Sequence, residues 1–173
     1  MYGNALQAAS LTNHDQVVQM LLDEGADGNA QGGRHGNALQ AASSRDHDQV
    51  VHMMLDKEAK GNALGGMYGN ALQAASLTNH DQAASLADHD QVVQMLLDKG
   101  ADVNAQGGRY GNALQAASSR GHDQVVQMLL DKGADVNAQG GTFGNALQAA
   151  SLTDHYQVVR MLLDKGADVN AQG

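Results

Sequence analysis

The chain contains no cysteine, no proline and no tryptophan, and aromatic residues make up 3% of it. Without cysteine there is no disulfide, no thiolate nucleophile and no thiolate zinc site. Without proline, the turns depend on the positive φ angles that glycine reaches easily, and 21 glycines are present. With one phenylalanine and four tyrosines, the interior has to be built from Ala, Val, Leu and Met. Basic residues are scarce as well: ten Lys and Arg stand against nineteen Asp and Glu, for a net charge of −9. That balance argues against nucleic acid, whose phosphates call for a basic footprint. It also argues against docking on anionic membranes. No apolar run approaches the roughly 18 residues of a membrane span. The opening Met-Tyr-Gly-Asn-Ala is not a basic stretch followed by an apolar one, and no Asn-x-Ser/Thr sequon occurs. These absences predict a soluble intracellular protein, cytoplasmic, with the nucleus left open.

At 173 residues the length fits one domain or an array of small repeats. Self-similarity favours the array. Gly-Asn-Ala-Leu-Gln-Ala-Ala-Ser occurs five times, starting at Gly3, Gly36, Gly69, Gly111 and Gly144, with spacings of 33, 33, 42 and 33. Residues 1–16 and 67–82 are identical, so a second period of 66 lies above the first. The expected units are 1–33, 34–66, 67–108 with a nine-residue insertion, 109–141 and 142–173, forming a single array over 1–173.

Each unit reads as two short helices and a turn. Asn4, Asn37, Asn70, Asn112 and Asn145 are good N-cap residues. The Ala-Leu-Gln-Ala-Ala that follows is a helix with small side chains, which lets a neighbour approach closely. Asn13, Asp46, Asp88, Gly121 and Asp154 end it, and these types tolerate left-handed backbone. The second helix opens with Asp, favourable to the macrodipole, and runs Val-Val-Gln-Met-Leu-Leu, apolar nearly all round. Such a helix has to be buried on several sides. Gly25, Gly100, Gly133 and Gly166 fit the glycine that stops a helix.

This pattern resembles the ankyrin repeat over essentially the whole chain. The matching features are the 33-residue period, the Ala-Ala of helix one, the His-x-x-Val-Val-x-x-Leu-Leu of helix two and Gly-Ala-Asp-Val-Asn-Ala. The resemblance implies an all-α fold, an α-solenoid of five helix pairs with short β-turn fingers. One departure is systematic: the family's Thr-Pro-Leu-His is Asn-Ala-Leu-Gln in every unit. Asn can replace the Thr cap, and Gln keeps a donor and an acceptor where His had them. The Asn-Ala-Leu-Gln variant is similar to ankyrin arrays in large fungal multi-domain proteins. The resemblance also implies function: a non-catalytic module, without cofactor or metal, that grips a protein partner on its concave face and finger tips. The rival is a sensor or regulatory segment of a larger signalling protein of the NTPase type.

Five His-Asp pairs, at His14, His47, His80, His89 and His122, bring a metal-dependent phosphohydrolase to mind. Four of them recur in the repeat register and the extra one belongs to the local duplication, and helices stacked about 8–10 Å apart cannot converge on a metal that needs each ligand at roughly 2.0–2.2 Å. The resemblance implies a structural histidine tying helix and turn together. Gly33-Arg34-His35-Gly36 before a capped helix suggests an anion cradle, but it follows no strand and precedes no Gly-Lys-Ser/Thr, so it reads as a turn. The methionines at 20, 53, 95, 128 and 161 read as core filler.

Function is then sought where the repeats differ. One variable column is the pair after Gly-Gly: Met1-Tyr2, Arg34-His35, Met67-Tyr68, Arg109-Tyr110 and Thr142-Phe143. Another follows Ala-Ala-Ser: Leu11-Thr12, Ser44-Arg45, Leu77-Thr78, Ser119-Arg120 and Leu152-Thr153. The resemblance places these at finger tips and at the concave end of helix one. The expected partner-binding residues are Arg34, His35, Arg45, Met67, Tyr68, Arg109, Tyr110, Arg120, Thr142 and Phe143. Four of the five arginines fall in these columns, Arg34 with Arg45 and Arg109 with Arg120, each pair placed to converge. At the usual helix spacing the two pairs stand roughly 20 Å apart.

Three irregularities carry further expectations. Residues 74–82 and 83–91 form a tandem nine-residue duplication; nine residues turn a helix by about two and a half turns, so one copy is expected to bulge out between the helices of the third unit. At 57–61, Lys-Glu-Ala-Lys-Gly replaces Lys-Gly-Ala-Asp-Val, which places Glu58 at a left-handed position and removes a valine, making this junction the expected soft point. The outer units keep apolar faces where terminal repeats are normally polar. That predicts a fragment of a longer array or association through the ends.

Overall fold

The computed structural model describes residues 3–77 and 90–172. Among them run ten helices in five pairs: α1 (Ala5–Leu11) with α2 (Asp15–Asp23), α3 (Ala38–Ser43) with α4 (Asp48–Asp56), α5 (Ala71–Ser76) with α6 (Asp90–Asp98), α7 (Ala113–Ser118) with α8 (Asp123–Asp131), and α9 (Ala146–Leu152) with α10 (Tyr156–Asp164). The described residues contain no strand, only isolated backbone bridges at the fingers. Each odd helix packs on its even partner and on the next odd helix, giving the all-α solenoid.

Every odd helix begins with the expected Asn cap, and the cap is reciprocal. The side chain of Asn4, Asn37, Asn70, Asn112 or Asn145 accepts from the backbone N–H of the Gln three residues on, whose own side-chain oxygen accepts from the Asn backbone N–H. This box satisfies two of the donors that a helix start leaves open. The turns into the even helices use left-handed Asn13 (φ 57), Asp46 (φ 58), Gly121 (φ 68) and Asp154 (φ 60); Asp88 lies outside the described residues.

The even helices end in one motif. The N–H of Ala26 donates to the carbonyl of Leu21 at 2.9 Å and that of Gly25 to Leu22 at 3.1 Å, with Gly25 at φ 86. This is the Schellman arrangement, and it recurs at Gly100, Gly133 and Gly166. In α4 the position belongs to Glu58, held at φ 62. Beside it, a partly open cavity of about 230 Å³ is lined by Leu55, Glu58, Ala59, Gly61 and Leu96 among others. Val103 and Val136 fill the corresponding place in later repeats, packed against the core.

The core is a stripe of Leu, Val and Ala running the length of the array. Met53, Met95, Met128 and Met161 pack against it as the sequence predicts, but Met20 is 68% exposed, because among the described residues no pair covers that side of α2. Of the duplicated segment, α5 takes Ala74-Ala75-Ser76 from the first copy and α6 takes Asp90-Gln91 from the second. Residues 78–89, and with them the predicted bulge, lie outside the described residues.

Candidate functional site

Four sets of polar contacts hold the pairs in line and so position the fingers. Gln40 Nε2 donates to the carbonyls of Ala63 and Gly69, each at 2.7 Å, from a fully buried side chain. Gln7, Gln73 and Gln115 do the same in the first, third and fourth repeats. His47 Nδ1 bonds the carbonyl of Ser10 at 2.9 Å, which ties this histidine to the preceding pair. Asn62, Asn104 and Asn137 accept from the backbone N–H groups of Asp102, Asp135 and Asp168 at 2.7–2.8 Å. Lysines at the ends of the even helices reach back to the last Asp of the helix before: Lys57 to Asp23, Lys99 to Asp56, Lys132 to Asp98 and Lys165 to Asp131, at 3.1–3.3 Å. Asp23, Asp98 and Asp131 have their pKa lowered, first by the side-chain amide of the Gln one turn earlier and then by the lysine.

Each finger is closed by a backbone bond, Gly32 N–H to the carbonyl of Gly36 at 2.7 Å and its counterparts from Gly65, Gly107 and Gly140. Successive fingers touch main chain to main chain. A Cβ on Gly66 would fall 2.5 Å from the carbonyl carbon of His35, and φ there is +61. Only glycine fits such an approach. The result is a ladder across the tips: the N–H of Met67 donates to the carbonyl of Arg34 at 3.1 Å, Arg109 to Met67 at 3.2 Å and Thr142 to Arg109 at 3.0 Å.

That ladder sorts the expected partner-binding residues into two rows. One row is Arg34, Met67, Arg109 and Thr142, of which all but the half-buried Met67 are exposed. Arg34 Nε lies 3.0 Å from Met67 Sδ, and Thr142 Oγ1 donates to the Arg109 carbonyl at 2.9 Å. The other row is His35, Tyr68, Tyr110 and Phe143, all half-buried. Ring centroids are 5.7 Å apart between His35 and Tyr68 and 6.1 Å between Tyr110 and Phe143, both tilted, within the range of favourable ring contacts.

Arg45 and Arg120 stand exposed just beyond the ends of α3 and α7. The imidazole of His35 has its pKa lowered by burial, then by the positive charges of Arg45 and Arg34. Both guanidinium groups of this pair therefore act on one ring, which also lies 3.4 Å from Ser44 Oγ. In the repeat of α7 the same place holds Tyr110.

A family model for ankyrin repeats matches residues 5–106 and 80–173. The chain belongs to the ankyrin-repeat family. Ankyrin repeats are generally protein–protein interaction modules and typically non-catalytic. A search of the curated proteins finds no match. Among the described residues, no helix of this ankyrin array is long and apolar enough to cross a membrane.

The Asn and Lys–Asp ladders escape the reading of the sequence, although both recur with the repeat. Their residues look like ordinary surface polar types until neighbouring repeats are set side by side.

Proposed function

We propose that this ankyrin array is a non-catalytic binding module that takes an acidic or phosphorylated segment of a protein partner across its finger tips and the ends of its odd helices. The observation that carries this reading is the pair of aligned rows at the fingers. Rings and arginines presented on a rigid backbone ladder are the residue types that anchor interfaces. Arginine suits bidentate capture of carboxylate or phosphate. Arg34 with Arg45 and Arg109 with Arg120 make two cationic spots, roughly 20 Å apart at the usual stacking distance, on a body whose net charge is −9. A partner with two acidic spots at that separation matches them.

The test is a panel of acidic and phosphorylated peptides with two charged clusters at varied separation, titrated against the intact array. Binding should peak at one separation and weaken with salt. Arg34→Ala with Arg109→Ala should slow association. If no peptide in the panel binds, or the double variant associates as fast as wild type at low salt, the arginines are not the recognition element.

A further inference from the structure

The turn after the even helix is built alike in the first, third, fourth and fifth repeats. Asp27 Oδ1 accepts from the N–H of Asn29 at 2.8 Å, and Asp102, Asp135 and Asp168 accept from Asn104, Asn137 and Asn170 at 2.9–3.0 Å. The main-chain carbonyl of each aspartate also accepts from the next alanine N–H, at 3.2–3.3 Å. All four aspartates are exposed. The residue that follows sets the first turn apart: Gly28 stands after Asp27, where Val103, Val136 and Val169 stand after the others. The chain has no other Asp-Gly and no Asn-Gly.

We infer that Asp27 is a modification site, where the folded protein isomerises spontaneously to isoaspartate and so loosens the first junction of the array. The bond to Asn29 draws the Asp27 carboxyl back along the main chain, past the nitrogen of Gly28. That nitrogen attacks Cγ and gives up its proton, the N–Cγ bond forms, the Cγ–OH bond of the protonated carboxyl breaks, and water leaves. The product is a succinimide. Water then adds to the former main-chain carbonyl of Asp27 and breaks its bond to nitrogen. The chain now runs through Cβ and Cγ, and the old carbonyl is a free carboxylate. The water lost in the first step is regained in the second, and no oxidant, reductant or cofactor takes part. Glycine permits the attack, because it has no Cβ to shield its nitrogen and its backbone turns freely. A β-branched valine beside the nitrogen hinders the same attack at the other turns.

The consequence follows from what pins this segment. The N–H of Ala26 is held by the carbonyl of Leu21 at 2.9 Å. Beyond the glycine, Asn29 Oδ1 accepts from the N–H of Lys60 at 2.8 Å and the carbonyl of Ala30 accepts from Gln7 Nε2 at 2.8 Å. Isoaspartate lengthens the main chain by a methylene between these anchors. The contact to Lys60, which belongs to the second repeat, or the contact to Gln7 then has to give. None of these residues belongs to the proposed binding rows, so the inference does not rest on the peptide-binding reading.

Prolonged incubation of the intact folded chain tests it, followed by trypsin and electron-based fragmentation, which distinguishes aspartate from isoaspartate at equal mass. Isoaspartate should accumulate at Asp27, in peptide 1–34, roughly tenfold faster than at Asp102, in peptide 100–109, a barrier difference of about 1.4 kcal/mol. Gly28→Val should slow Asp27 to the rate of Asp102. A Cβ built on Gly28 meets only Leu22 Cδ2, at 4.0 Å, so this variant should keep the wild-type circular dichroism melt. Val103→Gly should conversely speed Asp102. Hydrogen exchange of the aged wild type should show protection lost in α1 and α2 and kept in α7–α10, and Gly28→Val aged alongside should lose none. Equal rates at Asp27 and Asp102 overturn the inference. So does isoaspartate that forms in urea but not in the folded chain, which would mean that the turn prevents the attack. Isoaspartate at Asp27 with unchanged protection of α1 and α2 overturns the loosened junction.

Discussion

The side-chain amide of Gln40 reaches the carbonyl of Gly69, 29 residues away, at 2.7 Å while its oxygen holds the N–H of Asn37 at 2.6 Å. One residue thus caps its own helix and fastens the next finger. Both bonds are buried, where an unmade hydrogen bond is expensive. The finger ladder, and with it the alignment of the proposed binding rows, hangs on this column of glutamines.

Gln40→Ala leaves the buried N–H of Asn37 without its partner and takes away the donor to the half-buried carbonyl of Ala63, while the carbonyl of Gly69 keeps only the N–H of Gly65; it should cost about 2–4 kcal/mol. Gln148→Ala is the comparison. Its amide reaches only the half-buried carbonyl of Ala171, at 3.2 Å, so the loss should be about 1–2 kcal/mol. Urea denaturation of the two variants measures the difference. Equal losses would show that the bond to the next finger contributes nothing.

The junction of the second and third pairs should be the weakest. Glu58→Gly relieves left-handed backbone and should add about 1 kcal/mol. Gly61→Val places a side chain in the cavity beside Leu55 and Leu96 and should add about 1–2 kcal/mol. Native-state hydrogen exchange of the wild type should be fastest around this junction, and the double variant should slow it there more than elsewhere. Protection that is uniform along the array would refute the weak point.

Gly66→Ala and Gly100→Ala separate two reasons for glycine. Both positions have positive φ, but around Gly100 there is nothing within 4 Å, whereas at Gly66 the new Cβ would strike the main chain of the His35 finger. Gly100→Ala should cost about 1 kcal/mol. Gly66→Ala should cost more, about 2–4 kcal/mol, and should weaken peptide binding by displacing the finger. Thermal melts and a titration of the variant check both.

His35 should make the proposed peptide binding depend on pH. Burial, Arg45 and Arg34 hold its folded-state pKa below the ordinary value, which is about 6.5. The unfolded chain therefore binds the proton more readily. The stability His35 contributes is fully present above that value and is lost as pH falls through it toward the folded pKa. An acidic segment bound beside Arg34 and Arg45 favours the charged ring and raises that pKa again. Affinity should then increase as pH falls from neutral toward 5, and His35→Gln should flatten the profile. A profile equally steep in both proteins would place the proton elsewhere.

Much of this molecule was legible in its residues. The glycines, the Asn caps and the apolar helix-two pattern depend on local backbone preference and on hydrophobic period, which the chain carries at every position. They were sufficient for five helix pairs, for left-handed Asn13, Asp46 and Asp154, and for the strained Glu58. The variable columns also named the finger residues. What they could not show was which residues meet across repeats. Gln40 with Gly69, Met67 with Arg34, and Lys99 with Asp56 are 29, 33 and 43 positions apart. Those contacts exist only once the pairs have stacked. The same holds for Met20, which reads as core by its pattern and is 68% exposed: a side chain is buried by the neighbour that covers it, and among the described residues none packs on that side of α2.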